Sequence, residues 1–194
     1  LDVPGFVMAE RDGNRYLSLA LPKNVLLIPV RNALGQIEAI KCRKAEGDPK
    51  YLYLTSKTRK WDGPRAVQSL HVPKGLPLGA DVIRVTEGPL KADVAWYLSG
   101  VPTVGIPSAS GSKYLETFLE EYTNFTKVIL SLDADFRTNP HVGQGLVCLY
   151  DLVVRLGRET VLELWNAEHG KGIDDVLLAG APIQKLHAPV SVIE

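Results

Sequence analysis

The sequence is poor in cysteine and has no long apolar run, and both absences restrict its class. Only two of the 194 residues are cysteines, Cys42 and Cys148, and they form no Cys-x-x-Cys pair. This argues against a disulfide framework and a zinc ribbon, and it fits a reducing cytoplasm. No segment approaches the roughly 18 consecutive apolar residues of a transmembrane helix. We therefore expect a cytoplasmic protein that makes no membrane contact.

The chain also lacks an initiator methionine, a signal peptide and a dinucleotide-binding glycine motif. Leu1 is followed at once by Asp2, Pro4 and Gly5, which do not form the apolar core of a signal peptide. A start of this kind predicts a piece of a longer protein. No Gly-x-Gly-x-x-Gly motif follows an apolar run, so a Rossmann-like domain for some other phosphate ligand ranks last among the functions considered.

The chain also has no net charge, since 22 basic residues balance 22 acidic ones. The distribution is uneven, because residues 41–65 hold eight basic and three acidic residues, a net charge of +5. Tyr51, Tyr53 and Trp61 are interleaved among these basic residues. This combination is typical of surfaces that hold phosphates and stack bases, although a solvated hairpin can have the same composition. The basic residues are Lys41, Arg43, Lys44, Lys50, Lys57, Arg59, Lys60 and Arg65.

The order of the hydrophobic patterns predicts two structural parts. In the first part, short apolar or alternating runs are separated by turn residues, which is typical of strands. From about residue 80 strands alternate with helices, which predicts an α/β fold with a parallel, doubly wound sheet and helices on both faces. We thus predict a small, mostly-β basic subdomain at 1–78, an α/β domain at 79–182 and a C-terminal tail at 183–194.

The pair Asp133 and Asp135 is the most informative motif. The apolar run before it predicts a buried strand that continues through both aspartates. In an extended chain, side chains spaced i, i+2 point to the same side. Two carboxylates on one side raise each other's pKa unless a cation lies between them, and Mg²⁺ is the usual cation. The alternative is a polar strand end with solvated aspartates.

Other acidic segments are expected at the same edge of the sheet. Glu87 ends the first predicted strand of the α/β part, while Asp174 and Asp175 begin a helix after the last one. The small-residue loop 108–111 follows the second strand and offers backbone N–H groups to phosphates. Ligands bind at the carboxyl ends of parallel strands, so convergence here predicts a site. Helix N-termini also favour acidic residues, which is the alternative explanation for all three acids.

These motifs resemble the Toprim domain, which is shared by bacterial-type primases, topoisomerases and some nucleases. Thr86-Glu87-Gly88 and Asp133-Ala134-Asp135 carry the resemblance. Residues 24–52 resemble the segment before Toprim in bacterial-type primases: a strand with Ile-Pro near its end, a glycine turn and a Lys-Tyr-Leu triplet occur in that order. Residues 87–93 and 170–175 resemble a Toprim-like domain of plasmid and phage replication proteins.

The sequence departs from replicative primases at three positions. Lys91 stands where primases have an acid, four residues after the first glutamate, and Asp93 is expected on another face of the helix. Gly172 occupies the first position of the primase Asp-x-Asp motif, so only Asp174 matches, and Phe136 replaces a glycine. Fewer acids imply a weaker or single-metal site. Lys91 is expected to neutralise a phosphate or a carboxylate.

The resemblance implies a primase-like nucleotidyltransferase core that transfers phosphoryl groups on nucleotides along a single-stranded DNA template. It implies Mg²⁺ or Mn²⁺ bound by Glu87, Asp133 and Asp135, the expected catalytic residues, and by Asp174. Expected partners are single-stranded DNA or an RNA/DNA hybrid, nucleotide triphosphates, and a helicase or further domains of the same polypeptide. The residues expected to contact nucleic acid or nucleotide are Lys41, Arg43, Lys50, Tyr51, Trp61, Lys91, Ser110, Lys113 and Arg137.

Two other functions fit the same residues. Toprim nucleases use a similar acid set for metal-dependent strand cleavage. A binding module would hold nucleic acid or a nucleotide inside a larger replication protein without turnover. A topoisomerase is less well supported, because nothing marks a catalytic tyrosine domain within 194 residues.

Overall fold

The structure is a computed structural model that describes residues 2–58 and 60–187. These residues form two compact units. The first comprises the described residues up to Val30 together with Gln36–Ser69, and the second comprises Arg31–Gly35 and the described residues from Leu70 onward. The predicted domain boundary between residues 78 and 79 stays a prediction. Of the predicted tail, residues 188–194 lie outside the described residues.

The first unit contains two small antiparallel sheets. Strand β1 (Phe6–Arg11) pairs with β2 (Asn14–Leu19) through the two-residue connection Asp12-Gly13. Both connecting residues have positive φ, 52° and 75°, which is the backbone that a tight hairpin requires and that Asp-Gly adopts readily. The second sheet has the order β3-β4-β5, made of β3 (Val25–Arg31), β4 (Ile37–Lys44) and β5 (Tyr51–Tyr53).

The second unit is built on a five-stranded sheet with the order β10-β9-β8-β6-β7. Strands β6 (Val82–Glu87), β7 (Thr103–Ile106), β8 (Lys127–Leu130) and β9 (Glu159–Leu164) are parallel, and β10 (Gln184–Leu186) runs antiparallel to β9. The predicted α/β class with a preceding β part is confirmed. The four α-helices of the described residues are α1 (Pro89–Ser99), α2 (Ser112–Glu121), α3 (Pro140–Arg155) and α4 (Ile173–Leu178).

Helix α1 shows how local sequence sets these boundaries. Pro89 occupies the first helical turn, where its missing N–H costs nothing. Gly100 ends the helix with φ of 65°, a left-handed conformation that glycine adopts without strain. The helix packs against α4, whereas α2 packs against α3, so the helices form two pairs. None of the helices in the described part of the chain is long and apolar enough to cross a membrane.

The core of the second unit is mostly apolar and contains a buried ion pair between two strands. Ile83, Val85 and Leu130 are fully or almost fully buried in the sheet. Between them, Arg84 of β6 donates to Glu163 of β9 from Nε at 2.9 Å and from Nη2 at 3.3 Å. Burial raises the pKa of Glu163, but the hydrogen bonds and charge of Arg84 outweigh it, so the net pKa lies below the usual 4.5.

The structure differs from the sequence prediction in the segment that carries the paired aspartates. The strand ends at Leu130 and does not continue through Asp133 and Asp135. The chain leaves the sheet there, and residues Ala134–Arg137 form a 3₁₀ turn directly after Asp133. The Ala134 N–H donates to the Lys171 carbonyl at 2.9 Å, which ties this turn to the segment before α4. The prediction that both side chains point to one side of an extended strand is therefore wrong.

Helix α3 begins at Pro140, where the Asn139 side chain caps it by accepting from the His141 N–H. One further element differs from the sequence prediction. Residues 184–186, which the sequence placed in a tail, form the edge strand β10. A three-residue strand carries too little pattern to be identified without its partner.

Candidate active site

The carboxyl ends of two neighbouring parallel strands define the candidate site. Strand β6 lies beside β8 in the sheet, with Val85 opposite Leu130 in the register. Glu87 is the last residue of β6, and Asp133 follows β8 by three residues. The strand order reverses here, since β7 lies on one side of β6 and β8 on the other. Such a switch point is where open α/β sheets bind ligands.

Asp133 is buried and has two lysine partners. Its side chain forms an ion pair with Lys91 through Oδ1, and Oδ2 lies 3.6 Å from Nζ of Lys171. Only 5% of Asp133 is exposed, and a carboxylate this buried requires a cationic partner. The expectation that Lys91 neutralises a phosphate or a carboxylate is met by the carboxylate of Asp133.

Asp135 shares the second of these lysines. Its Oδ2 lies 3.0 Å from Nζ of Lys171, whereas its Oδ1 is buried and has no hydrogen-bond partner. Burial raises the pKa of Asp135, but the hydrogen bond and charge of Lys171 outweigh it, so the net pKa is below the usual 3.8. Although the two aspartates do not lie on one strand, a single ammonium group bridges them.

Asp174 and Asp175 have different roles at the start of α4. Asp175 Oδ2 accepts from the N–H groups of Lys171 and Gly172 at 3.1 and 3.2 Å. Its role is therefore the structural one that a helix N-terminus favours. Asp174 Oδ1 is buried without a hydrogen-bond partner. Burial and the neighbouring Asp175 raise the pKa of Asp174 above its usual 3.8, while Lys91 lowers it.

Two further residues of this neighbourhood are Lys171, just before α4, and Asp93, on α1. Lys171 was not predicted, although it contacts both aspartates of the key motif. The only signal was its place in the Gly-Lys-Gly segment before α4. Asp93 does face away from the cluster, as expected, and lies 3.0 Å from Nε2 of His71. Nδ1 of His71 accepts from the Arg31 N–H, so Nε2 carries the proton that binds Asp93.

The donor chemistry of this cluster fits a divalent cation that arrives with a ligand. The unpartnered oxygens of Asp135 and Asp174 are hard, buried acceptors. However, among residues 2–58 and 60–187 no three carboxylate, histidine or cysteine side chains lie close enough to share one ion. Mg²⁺ commonly binds through one or two carboxylates together with substrate phosphates, and this cluster fits that mode better than a protein-only cage.

Three predicted phosphate-contacting residues lie in the second unit, one each on a loop, in helix α2 and in the 3₁₀ turn. Ser110 bonds Ser108 through the hydroxyl groups at 3.0 Å, in the loop that follows β7. Lys113 lies 4.7 Å from the centre of the Tyr114 ring. The guanidinium group of exposed Arg137 lies 5.4 Å from the ring of Phe136. Among the described residues, Lys113 and Arg137 form no ion pair with a carboxylate, so their charges are available to an anionic ligand.

The first unit presents a cation and aromatic rings on strands β4 and β5. Nζ of Lys41 lies 5.4 Å from the ring centre of Tyr51 and 5.6 Å from that of Tyr53. Arg43 is the register partner of Tyr51, and Lys50 is exposed just before β5. Tyr51 is 40% exposed. Four of the predicted nucleic-acid contacts thus lie within one strand pair and its entry.

Trp61 lies outside this strand pair, in the loop that follows it. Its ring centre lies 4.8 Å from Nζ of Lys60, and its backbone N–H donates to Thr58 Oγ1 at 3.1 Å. Arg59, counted among the basic residues of the segment, lies outside the described residues. The predicted basic and aromatic composition is therefore distributed over a strand pair and a loop of the first unit.

Comparison with known sequences yields no relatives. No family model matches this chain, and no curated protein matches it either.

Comparison with solved structures gives a consistent result. A DNA primase domain from Pseudomonas aeruginosa is similar with a TM-score of 0.62 and 17% identity, over 93% of this chain and 54% of that one. A primase catalytic domain bound to single-stranded DNA gives a TM-score of 0.58 and 14% identity, over 90% of this chain and 51% of that one.

A bacteriophage T7 structure extends this comparison. It contains a lagging-strand DNA polymerase and primase domains bound to an RNA/DNA hybrid and dTTP, and the match has a TM-score of 0.54 and 19% identity, over 91% of this chain and 78% of that one. The chain spans about half the length of the bacterial primase structures that it matches. Identities this low establish fold and not activity. The chain therefore has the fold of bacterial primase catalytic cores, with a Toprim-type second unit.

Proposed function

We propose that the chain is the primase-like core of a cytoplasmic DNA-replication protein of the plasmid or phage type, and that it joins nucleotides opposite a single-stranded DNA template. One observation above all supports this proposal. Within a fold shared with primase catalytic cores, Glu87 ends β6 while Asp133 and Asp135 follow the neighbouring strand β8. Acidic residues at this switch point suit phosphoryl transfer better than passive packing.

The residues of the second unit divide into two roles. Mg²⁺ or Mn²⁺ brought by a nucleotide triphosphate would bind through one or two of the carboxylates Glu87, Asp135 and Asp174 together with the phosphates. The ion would neutralise the phosphates and help to activate a 3′-hydroxyl group. Lys113 and Arg137 would bind phosphates at the rim. Lys171 lies 3.0 Å from Asp135 and holds that carboxylate in its ionised form, which is the form that binds a cation.

The first unit would hold the template. Lys41, Arg43 and Lys50 carry charges that match phosphates, and Tyr51 and Trp61 offer rings for base stacking. Solved structures of similar fold are described as bound to single-stranded DNA and to an RNA/DNA hybrid with dTTP. The same ligand classes are proposed here, and a helicase or further domains of the polypeptide are proposed as partners.

The test is RNA primer synthesis by the purified chain on single-stranded DNA, with Mg²⁺ and labelled nucleotide triphosphates. We expect short labelled products that disappear when the divalent ion is chelated. A preparation that binds DNA but makes no product would refute autonomous primase activity. Nicking of labelled DNA in the absence of nucleotide triphosphates would instead assign strand cleavage.

A second candidate function is a binding module without turnover. The specific observation in its favour is that both oxygens of Asp133 face lysine ammonium groups, which leaves fewer carboxylate oxygens for a metal. Such a module would bind single-stranded DNA through phosphate contacts and stacking alone. Binding that is unchanged by chelation, together with no product in the primer assay, would support this function.

If the first unit binds the template, substitutions on its strands should weaken single-stranded DNA binding. Replacing Tyr51 with alanine is expected to weaken single-stranded DNA binding by about 1–3 kcal/mol, the usual contribution of one stacked base. Replacing Lys41 with glutamine is expected to reduce the salt dependence of log K by about 0.7. Fluorescence anisotropy over a salt series measures both. Tyr97→Ala is the matched control, because Tyr97 is an equally large ring that is 86% exposed on α1, and an equal loss in this control would contradict the assignment.

A further inference from the structure

We propose that Lys91 is a built-in cation of the site, and that its ammonium group takes the place of a divalent ion at Asp133. This inference rests on the proposed function, because it specifies how many ions the same carboxylate cluster holds. Lys91 pairs with Asp133, and its side chain passes over Gly172.

The first step is the position of Lys91 in its helix. It is the third residue of α1, and the first turn of this helix contains no acidic residue. A helix N-terminus carries partial positive charge, so a lysine there is repelled by the helix dipole. A residue in this position needs a compensating anion, and the buried carboxylate of Asp133 supplies it.

The second step is the space that Gly172 provides. Its φ and ψ are −102° and 163°, an ordinary extended conformation that any residue adopts, so backbone geometry does not require glycine here. Space does. A Cβ atom at this position would lie 2.8 Å from Cε and 3.0 Å from Cδ of Lys91, and 2.3 Å from Oδ1 of Asp174. The missing side chain therefore leaves the space that the Lys91 stem and the Asp174 carboxylate occupy.

The third step is the charge balance around Asp133. Its side chain is 7% exposed, and it meets Lys91 on one oxygen and Lys171 on the other. A divalent ion placed on the same carboxylate would face two ammonium groups at short range, and like charges in a buried site repel strongly. Both oxygens of Asp133 thus face lysine, whereas Oδ1 of Asp135 and Oδ1 of Asp174 have no hydrogen-bond partner and stay open to a cation.

The experiment measures Mn²⁺ binding in the absence of nucleotide, by electron paramagnetic resonance of the free ion. The parent chain is expected to bind Mn²⁺ weakly. Lys91→Ala is expected to bind at least about tenfold more tightly, since changes next to metal ligands commonly alter affinity by 10- to 100-fold. Lys91→Arg keeps the charge and should behave as the parent. Lys74→Ala makes the same change in net charge at an exposed turn of the second unit and should also behave as the parent.

A second variant protects the test against misfolding of Lys91→Ala. Lys91→Met keeps the length of the apolar stem and removes only the ammonium charge, and it should bind Mn²⁺ as tightly as Lys91→Ala. The inference is overturned if Lys91→Ala and Lys91→Met bind no more tightly than Lys74→Ala. It is also overturned if the parent already binds nucleotide-free Mn²⁺ as tightly as Lys91→Ala does.

The same titration repeated with a non-hydrolysable nucleotide triphosphate separates this inference from the proposed function. If the parent binds the Mn²⁺–nucleotide complex but Lys91→Ala gains no nucleotide-free site, the role of Lys91 fails and the proposed function stands. If Lys91→Ala gains the site but the parent binds no Mn²⁺–nucleotide complex, the role of Lys91 stands and the proposed function fails.

Discussion

The free energy of unfolding of the Arg84→Met variant is expected to be about 3–5 kcal/mol lower than that of the parent chain. This is the usual cost of removing one partner of a buried ion pair. Arg84 and Glu163 are 3% and 2% exposed, so neither charge reaches bulk water. Methionine fills most of the volume of arginine but leaves the glutamate without its two guanidinium hydrogen bonds.

The remaining contacts of Glu163 do not replace what this variant loses. Ser131 donates to Oε2 at 2.6 Å, and Nζ of Lys185 lies 3.6 Å from Oε1. The hydroxyl carries no charge, and the lysine side chain is 56% exposed on the edge strand. Arg84 also donates to Ser99 at 2.7 Å, so its removal loosens the end of α1 as well.

Urea unfolding followed by circular dichroism measures the difference. The double variant Arg84→Met with Glu163→Met should be more stable than Arg84→Met alone, because two apolar side chains leave no buried charge unpaired. Arg155→Met is the matched control. Its guanidinium group binds Glu116 at 2.8 Å on the surface, and exposed pairs contribute only about 0–1 kcal/mol. Equal losses in Arg84→Met and Arg155→Met would show that the buried network does not stabilise the sheet.

The second large effect concerns turnover. Glu87→Gln and Asp135→Asn are each expected to reduce the primer-synthesis rate by about 100-fold or more, a typical cost of removing one group that stabilises charge in the transition state. Both substitutions keep the size of the side chain while removing the charge that a nucleotide-bound cation needs. Single-turnover assays with saturating nucleotide measure the chemical step separately from binding.

The control for this experiment is Asp151→Asn. Asp151 is an exposed carboxylate on α3, so its substitution makes the same change in charge away from the cluster and should leave the rate unchanged. Thermal unfolding and binding of single-stranded DNA should be equal in all variants. If Glu87→Gln and Asp135→Asn keep the parent rate, these carboxylates do not take part in the reaction.

Local sequence signals were sufficient for most elements of the sheet and its helices. Pro89 and Gly100 mark both ends of α1, and the alternating run that forms β4 was visible without its partners. These signals act within a few residues, through fixed φ angles, capping and side-chain periodicity. For the same reason, the edge strand β10 was missed, since its three residues become a strand only beside β9.

The candidate site was predicted in composition but not in geometry. The sequence identified Asp133 and Asp135, yet a continuing strand was expected where the structure has a 3₁₀ turn. The turn forms because the chain bonds to the segment around Lys171, which is distant in sequence. The pairing of Arg84 with Glu163 spans 79 positions. Contacts of this kind depend on strand order, which no local pattern contains.

The edge strand Gln184–Leu186 has a practical consequence for how this protein is shortened. Ending the chain at residue 182, where the sequence pattern first suggested a domain boundary, would remove the only described hydrogen-bonding partner on that side of β9. An unpaired strand edge recruits edges of other molecules and promotes aggregation. It would also remove Lys185 from the neighbourhood of Glu163. A shortened chain that stays monomeric should therefore extend at least through Leu186.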